Sequence, residues 1–483
     1  MKRRTVLSLG AGVALSALLS QCSRDASQSG SSSSALAQPQ HLTSENGILQ
    51  VNLKAKLQAA ILGNHNANPL TYNGQFPGPL LEARAGDAVR LTLSNELDTP
   101  TNLHYHGLHI SPKVDNVFLE VAPGEQYTYE FEIPRNHPAI TGWYHPHYHL
   151  NVAPQVFGGL AGPLIVRGEL DEIPEIQQAD EALLVLQDFG LQQARQGPHP
   201  LAKRWGREGR LILANGQQNP AVNVPQNGLL RLRLVNASAS RIYQLQLQEH
   251  PWYLMATDRG ALAEPIELEA LLLSPGERAE LLIPGQREPG EYPVISLPYD
   301  RGLEESRSSF GDAVEQISGV VRPTQTTVAT LRYVEGGDRP LPLPKQLIPV
   351  ESLPEPQATR EFVLDHGLDA NAKSTGFTIN GQSFVMGQVN TRVRLNDVED
   401  WHIINNASID HPFHLHTNRF QVVKRNGQLE AIKVWKDTVS LKGYESVTIR
   451  IRFEDFVGRT VYHCHILDHE DQGMMGILDI QQA

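Results

Sequence analysis

Near the end of the chain, GRTVYHCHILDHEDQGMM (458–475) places His463, Cys464, His465, His469, Met474 and Met475 within thirteen residues. A thiolate, several imidazoles and a thioether are the donors that select copper over magnesium, calcium or manganese. Three other stretches are as rich in histidine: HYHG (104–107), WYHPHYH (143–149) and HPFHLH (411–416). On a strand, residues i and i+2 share a face about 7 Å apart. The pairs His104/His106, His145/His147, His414/His416 and His463/His465 therefore each turn two imidazoles to one side. Four such pairs give eight imidazoles, enough for three metal ions with open positions. In HCH the same alternation sends Cys464 to the face opposite its neighbours. A metal on Cys464 then lies on one side of the strand and the histidine cluster on the other, a few covalent bonds apart. With His411, His469 and Met474, Cys464 makes a His₂Cys set with a weak axial thioether, the blue-copper electron-transfer pattern.

Cysteine usage sharpens this reading. The chain has two cysteines in 483 residues, and Cys22 lies in an N-terminal targeting segment, so Cys464 is the one thiol of the folded body and no internal disulfide is available. That segment carries Arg3 and Arg4 in MKRRTVLSLG, then the apolar run GAGVALSALLS. We read it as a twin-arginine signal exporting an already folded protein to the periplasm, with ordinary export behind a basic n-region as the plain alternative. Two ends of the leader are open: acylation and anchoring at Cys22, after LLSQC, or cleavage near Ala37 in ALAQ. In an exported protein an unpaired thiol is a liability unless something occupies it.

The elements that must position these donors are strands. YNGQFPG (72–78), ANGQQNP (214–220) and INGQSFV (379–385) each precede an alternating run ending in asparagine, at Asn95, Asn236 and Asn405. A second phrase follows each: APGEQYTYEFEIP from 122, SPGERAELLIP from 274 and KGYESVTIRIRF from 442. Two ordered phrases in three places predict three homologous all-β domains, built as tandem β-sandwiches. We assign residues 1–44 to the leader and a Ser-rich linker, 45–170, 171–337 and 359–483 to the three sandwiches, and 338–358 to a stiff Pro-rich connector. The middle copy holds only His199 and His250, so the clusters belong to the first and third. The donors are expected to converge where those two meet.

A formal charge of −12 offers no basic surface for phosphate backbones, which excludes nucleic acid as a partner. No stretch after the leader is long and apolar enough to span a bilayer. We expect a monomer.

HPFHLH…WKDTV…HCHILDHEDQGMM resembles the multicopper oxidase family, in particular its three-domain laccase, copper-efflux oxidase and bilirubin oxidase branch, and the likeness covers the chain after the leader. The resemblance implies that the three tandem sandwiches are cupredoxin-like Greek-key domains and, by position, that they hold four copper ions. His411, Cys464, His469 and Met474 would bind the type 1 copper, His104 and His414 the type 2 copper, and His106, His145, His147, His416, His463 and His465 the type 3 pair. Asp115 and Glu470 fall where the family keeps acids, and reducing dioxygen consumes protons. His109 and His149 are expected outside the donor set, Met475 in packing, Asp410 in a turn or beside the reductant, and Trp143, Trp401 and Trp435 in the core. Electrons would enter one at a time through an exposed edge of His411 or His469 and leave through Cys464. The implied reaction couples four one-electron oxidations to the reduction of dioxygen to water. Five methionines in all argue against a methionine-rich cuprous site and for a phenolic or aromatic-amine reductant. Oxidation of Cu(I), Fe(II) or Mn(II) is the alternative within this class. From another class, the alternative is an exported protein that binds copper without turnover or is purely structural.

Overall fold

The computed structural model describes residues 5–7, 33–191, 200–302, 323–366 and 376–482. The arginine pair, Cys22 and His199 lie outside the described residues.

The period-two pattern becomes the pleat of two-layer sandwiches. In the first, a sheet ordered Gln126–Glu132, Ala88–Asn95, Ile48–Leu57, Leu70–Tyr72 packs on one ordered His41–Thr43, Leu80–Arg84, Gly162–Arg167, Ile140–His145, His104–His106. Leu53, Leu91, Tyr129, Leu81, Val166 and Tyr144 close its core. In the third, Thr378–Ile379, Ala358–Asp365, Val398–Asn405, Ser446–Arg452 and Phe420–Arg425 form one layer. The other layer runs Val389–Arg394, Met475–Gln481, Gly458–Cys464, His411–Leu415, Thr438–Leu441. The middle sandwich is one continuous sheet, because the strand Gly260–Leu273 pairs with Tyr253–Thr257 in one layer and Tyr243–Leu247 in the other.

The repeated phrases perform the same task three times. Asn73-Gly74, Asn215-Gly216 and Asn380-Gly381 all have positive φ, the requirement of a two-residue hairpin turn of type I′. Each asparagine also pins the preceding strand: Lys54, Val185 and Val363 donate their backbone N–H to its Oδ1 at 2.8, 2.8 and 2.7 Å. Downstream, Asn95, Asn236 and Asn405 are buried, and each amide donates to loop carbonyls, those of Val121, Leu273 and Leu441 among them. Their Oδ1 atoms accept from Leu97, Ser238 and Ala407. The phrases are therefore devices that satisfy backbone groups where a strand leaves its sheet.

Two segments without strong strand character are nonetheless docked. Leu347 and Ile348 of the Pro-rich connector donate to Ala263 and Leu262, and Leu347 enters the middle core. Ser34–Ala37 lie along the edge strand Ala221–Pro225, where Ala221 donates to Ser34 at 2.7 Å and Leu36 to Ala221 at 2.9 Å. Ala37 is held from both sides, donating to Gln217 Oε1 and accepting from Asn215 Nδ2. Among the described residues no helix is long and apolar enough to cross a membrane.

A chain beginning at Gln38 loses these bonds and the Leu36 contact. It should be less stable than one beginning at Ser33 by ~1–3 kcal/mol, at about 1 kcal/mol per net hydrogen bond less the ordering cost. Thermal denaturation of the two chains side by side checks this, and equal melting temperatures would show that the docked segment adds nothing.

Candidate metal centre

The register of two strands separates the donors. His411–Leu415 pairs with Gly458–Cys464 so that Phe413 stands opposite Cys464 and His414 opposite His463. Cys464 faces the apolar interior of the third sandwich with Phe413, Tyr462 and Met474. His414 and His463 face the other way, toward the first sandwich. There, His145 stands opposite His104 and Trp143 opposite His106.

The two faces meet as one buried cluster. His147 Nε2 lies 3.1 Å from His463 Nε2, which lies 3.1 Å from His416 Nε2. The His104 and His416 rings stack at 3.8 Å between centroids, and His106 and His414 at 3.9 Å. His465 Nε2 is 3.3 Å from His106 Nδ1. On the opposite side of the strand, His411 Nδ1 is 3.4 Å from Cys464 Sγ, His469 Nδ1 is 3.7 Å from it, and the two nitrogens are 3.2 Å apart. All ten imidazoles and the thiol are buried, as is Met474.

Hydrogen bonds at the outer nitrogens fix which nitrogen faces inward. The N–H of His104 Nδ1 points to Asp115 at 2.8 Å, that of His414 Nδ1 to the Asp437 carbonyl at 2.8 Å, that of His145 Nδ1 to the Pro146 carbonyl at 2.9 Å, and that of His463 Nδ1 to the Cys464 carbonyl at 3.0 Å. Each bond places the proton on Nδ1 and leaves the Nε2 lone pair for a metal. The Nε2 atoms of His104, His145 and His414 have no hydrogen-bond partner, although buried polar atoms are normally satisfied. His469 is turned round: its Nε2 donates to the Arg204 carbonyl at 3.0 Å and its Nδ1 faces the sulfur.

Burial lowers the His106, His145, His147, His414, His463 and His469 pKa values well below the ordinary range, and brings His411 and His465 to about 3 and His416 to about 4. Neighbouring imidazoles add to the effect in the cluster. Burial also pushes the Cys464 thiol up. Neutral imidazoles aimed at one another, with lone pairs and no donors between them, fit metal cations, and such a cation beside the buried thiol would hold it as a thiolate. Groups within metal-holding distance among the described residues are His104/His414/His416, His104/His106/His145, His147/His416/His463, His411/Cys464/His469 and His106/His414/Asp437.

The acids divide. Burial alone would raise Asp115, but the bonds from His104 at 2.8 and 2.9 Å and from His416 at 3.4 Å hold it well below the carboxylate range. Glu470 stands 3.1 Å from His463 Nδ1 and 3.5 Å from His147 Nδ1, yet neither oxygen is at hydrogen-bonding geometry. Burial, helped by Asp471, pushes it well above the carboxylate range and so favours its protonated form.

The remaining residues fall as follows. His109 joins the first and third sandwiches, with bonds to the Thr417 carbonyl and Asp455 at 2.9 Å each. His149 packs on Phe384, Met475 on Val117 and Val461, and Trp401 lies in the third core. The expected opening to solvent at His411 or His469 is not there: both are buried, with Phe377 stacked on His469 at 4.0 Å. Asp410 does not face solvent; it accepts from the Tyr299 hydroxyl at 2.6 Å and from Gly443. Trp143 is more than core, because it stacks on His145 at 4.1 Å and His106 at 5.3 Å. Trp435 carries Arg419 over its ring at 4.0 Å. Sequence reasoning gave no role to Asp437, although WKDTV was conspicuous; its carboxylate reaches His106 at 3.2 Å.

Three sandwiches in tandem, with a thiol–imidazole site inside the last and a histidine cluster between the outer two, define a protein of the cupredoxin type with donor groups compatible with metal sites. Multicopper oxidase family models match residues 54–171, 187–309 and 354–483, and the chain belongs to the multicopper oxidase family. It is 29% identical to a protein named multicopper oxidase mco from Staphylococcus haemolyticus, over 90% of this chain and 89% of that one. It is 30% identical to cell division protein FtsP of Photorhabdus laumondii, over 86% of each. The multicopper oxidase of Campylobacter jejuni, described as a metallo-oxidase, superposes with a TM-score of 0.79 at 30% identity, covering 93% of this chain and 96% of that one. Membership implies copper, with dioxygen and a reductant as partners.

The imidazole shifts predict an acid response of the metal-free protein. Below the unfolded value near 6.5, the unfolded chain takes up protons that the folded imidazoles refuse. Stability should therefore fall as pH drops from about 6.5 toward 3–4, by ~1.4 kcal/mol per pH unit for each such imidazole. Melting temperatures of the chelator-treated protein between pH 7 and 5 test this; a flat profile would contradict it.

Proposed function

We propose that the protein is an exported, monomeric four-copper oxidase that couples four one-electron oxidations of a reductant to the reduction of dioxygen to water. The observation that carries the reading is the completeness of the donor set: two inward nitrogens and a sulfur on one face of the strand, eight imidazoles on the other, with tautomers set for ligation. His411, Cys464, His469 and Met474 would hold the type 1 copper, His104 and His414 the type 2, and His106, His145, His147, His416, His463 and His465 the type 3 pair. Copper, when bound, supplies the electron transfers and the reduction of dioxygen. Cys464 is continuous through the backbone with His463 and His465, so a short covalent path joins the two donor sets. Asp115, held ionised, orients His104 and His416. Glu470 keeps a proton on its carboxyl beside His463 and His147, a store for the protons that dioxygen reduction consumes.

A phenol or aromatic amine is the reductant that the scarcity of methionine favours. The likeness to the Campylobacter jejuni metallo-oxidase supports a second reading, oxidation of a metal ion. The likeness to cell division protein FtsP would support a non-catalytic role, against which stands the intact donor set.

Copper-loaded protein should be blue, with about four coppers per chain, and should consume oxygen with a phenol or, on the second reading, with Cu(I), Fe(II) or Mn(II); a colourless chain without uptake would refute the proposal. Cys464→Ser should lose colour and turnover together. Glu470→Gln should keep the colour and slow oxygen consumption ~10²-fold, the lower range for a general acid. An unchanged rate would remove its role as proton store.

A further inference from the structure

The middle sandwich supplies none of the donors named above, yet one of its turns touches the histidine cluster. That turn is the middle copy of the Pro-Gly-Glu phrase. At Gly124, in the first copy, an added Cβ would meet nothing within 4 Å; at Gly276, with φ +84°, it would meet the His465 ring at 2.7 Å. The same turn is thus open in the first copy and in contact with a cluster imidazole in the second.

Two residues on, the Arg278 guanidinium uses all five of its N–H groups. Nε donates to the Thr141 carbonyl at 3.0 Å, Nη1 to the Gly276 carbonyl at 2.9 Å and Asp437 Oδ1 at 2.7 Å, and Nη2 to the Asp258 carbonyl at 2.8 Å and Asp437 Oδ2 at 2.7 Å. These acceptors come from all three sandwiches. Asp437 Oδ1 also accepts from His106 Nε2 at 3.2 Å and Thr438 Oγ1 at 3.0 Å, and the Asp437 carbonyl accepts from His414 Nδ1 at 2.8 Å. His106 thus carries its proton on Nε2 and points Nδ1 at His465, the reverse of His104, His145, His414 and His463. Asp437 stands within metal-holding distance of His106 and His414, but Arg278 occupies both its oxygens, which makes it an anchor for imidazoles rather than a further donor.

We propose that the Gly276–Arg278 turn and Asp437 are positioning elements of the three-copper site, so that the sandwich without donors sets the geometry of His106, His414 and His465. This rests on the four-copper reading. Lysine cannot reproduce the two parallel bonds of Arg278, and asparagine at 437 offers only one acceptor oxygen and no charge.

The test loads the full chain and its variants Arg278→Lys, Asp437→Asn and Gly276→Ala with copper. Arg231→Lys is the control, since Arg231 is a buried arginine paired with Glu280 and Asp171. Copper per chain, the blue band, the type 2 resonance and the melting temperature of the metal-free form are read for each. Cluster copper should be held ~10-fold or more weaker in the three variants, the usual effect of losing a partner behind a ligand, while the blue band persists and the control binds in full. Full cluster occupancy with an unchanged type 2 resonance would overturn the proposal. So would loss of blue and cluster copper in equal proportion, or failure of both Arg278→Lys and Asp437→Asn to fold, because either would mark an ordinary buried ion pair. A wild-type chain and control that take up no copper would instead remove the four-copper reading, and this inference with it.

Discussion

The pleat of one strand pair sorts the chemistry of this protein. With Phe413 opposite Cys464 and His414 opposite His463, the thiol is committed to an apolar core and the imidazoles to the boundary with the first sandwich. A slip of one residue would exchange the two faces, sending the sulfur into the histidine cluster and an imidazole into the core. The buried aromatic surface of Phe413, Tyr462, Trp401 and Phe362 makes that slip costly, so the packing of the third sandwich is also what specifies the position of the donors.

What the pleat cannot do is align two sandwiches with each other. The junction does this with charge. Arg278 and Lys436 pair with Asp437, Asp258 and Glu277 in a region closed to solvent, and Arg259 lies 3.8 Å from Asp437. Buried ion pairs contribute little net stability, but a mismatch leaves a charge without a partner, so they tolerate few alternative dockings. The same network passes directly into the cluster through His106 and His414. Docking and donor orientation are therefore set by the same groups.

The fold by itself does not decide what the protein does. Relatives of similar identity bear the names of an oxidase and of a cell division protein, and three sandwiches serve both. Function rests on the donors and on what covers them. Phe377 lies flat on His469 and the Arg204 carbonyl accepts a hydrogen bond from its outer nitrogen, so the thiol site is covered on this side.

The sequence alone determined the three-fold repeat, the all-β architecture and the two-faced character of the HCH strand, because alternation and turn chemistry are local and are written in neighbouring residues. Asn73-Gly74 and its two counterparts dictate a hairpin whatever surrounds them, and Cys464 opposes its neighbours in any extended strand. Tertiary structure alone decided that Asp115 bonds His416 as well as His104, and that Glu470 is buried beside His147 and His463 with neither oxygen hydrogen-bonded. It also decided that Trp143 stacks on imidazoles, that His411 and His469 are covered, and that Arg278 and Asp437 join three sandwiches at the cluster. Arg278 and Asp437 stand 159 positions apart, and Asp115 and His416 stand 301 apart; no periodicity encodes which buried charge meets which, and only the docking of complete sandwiches does.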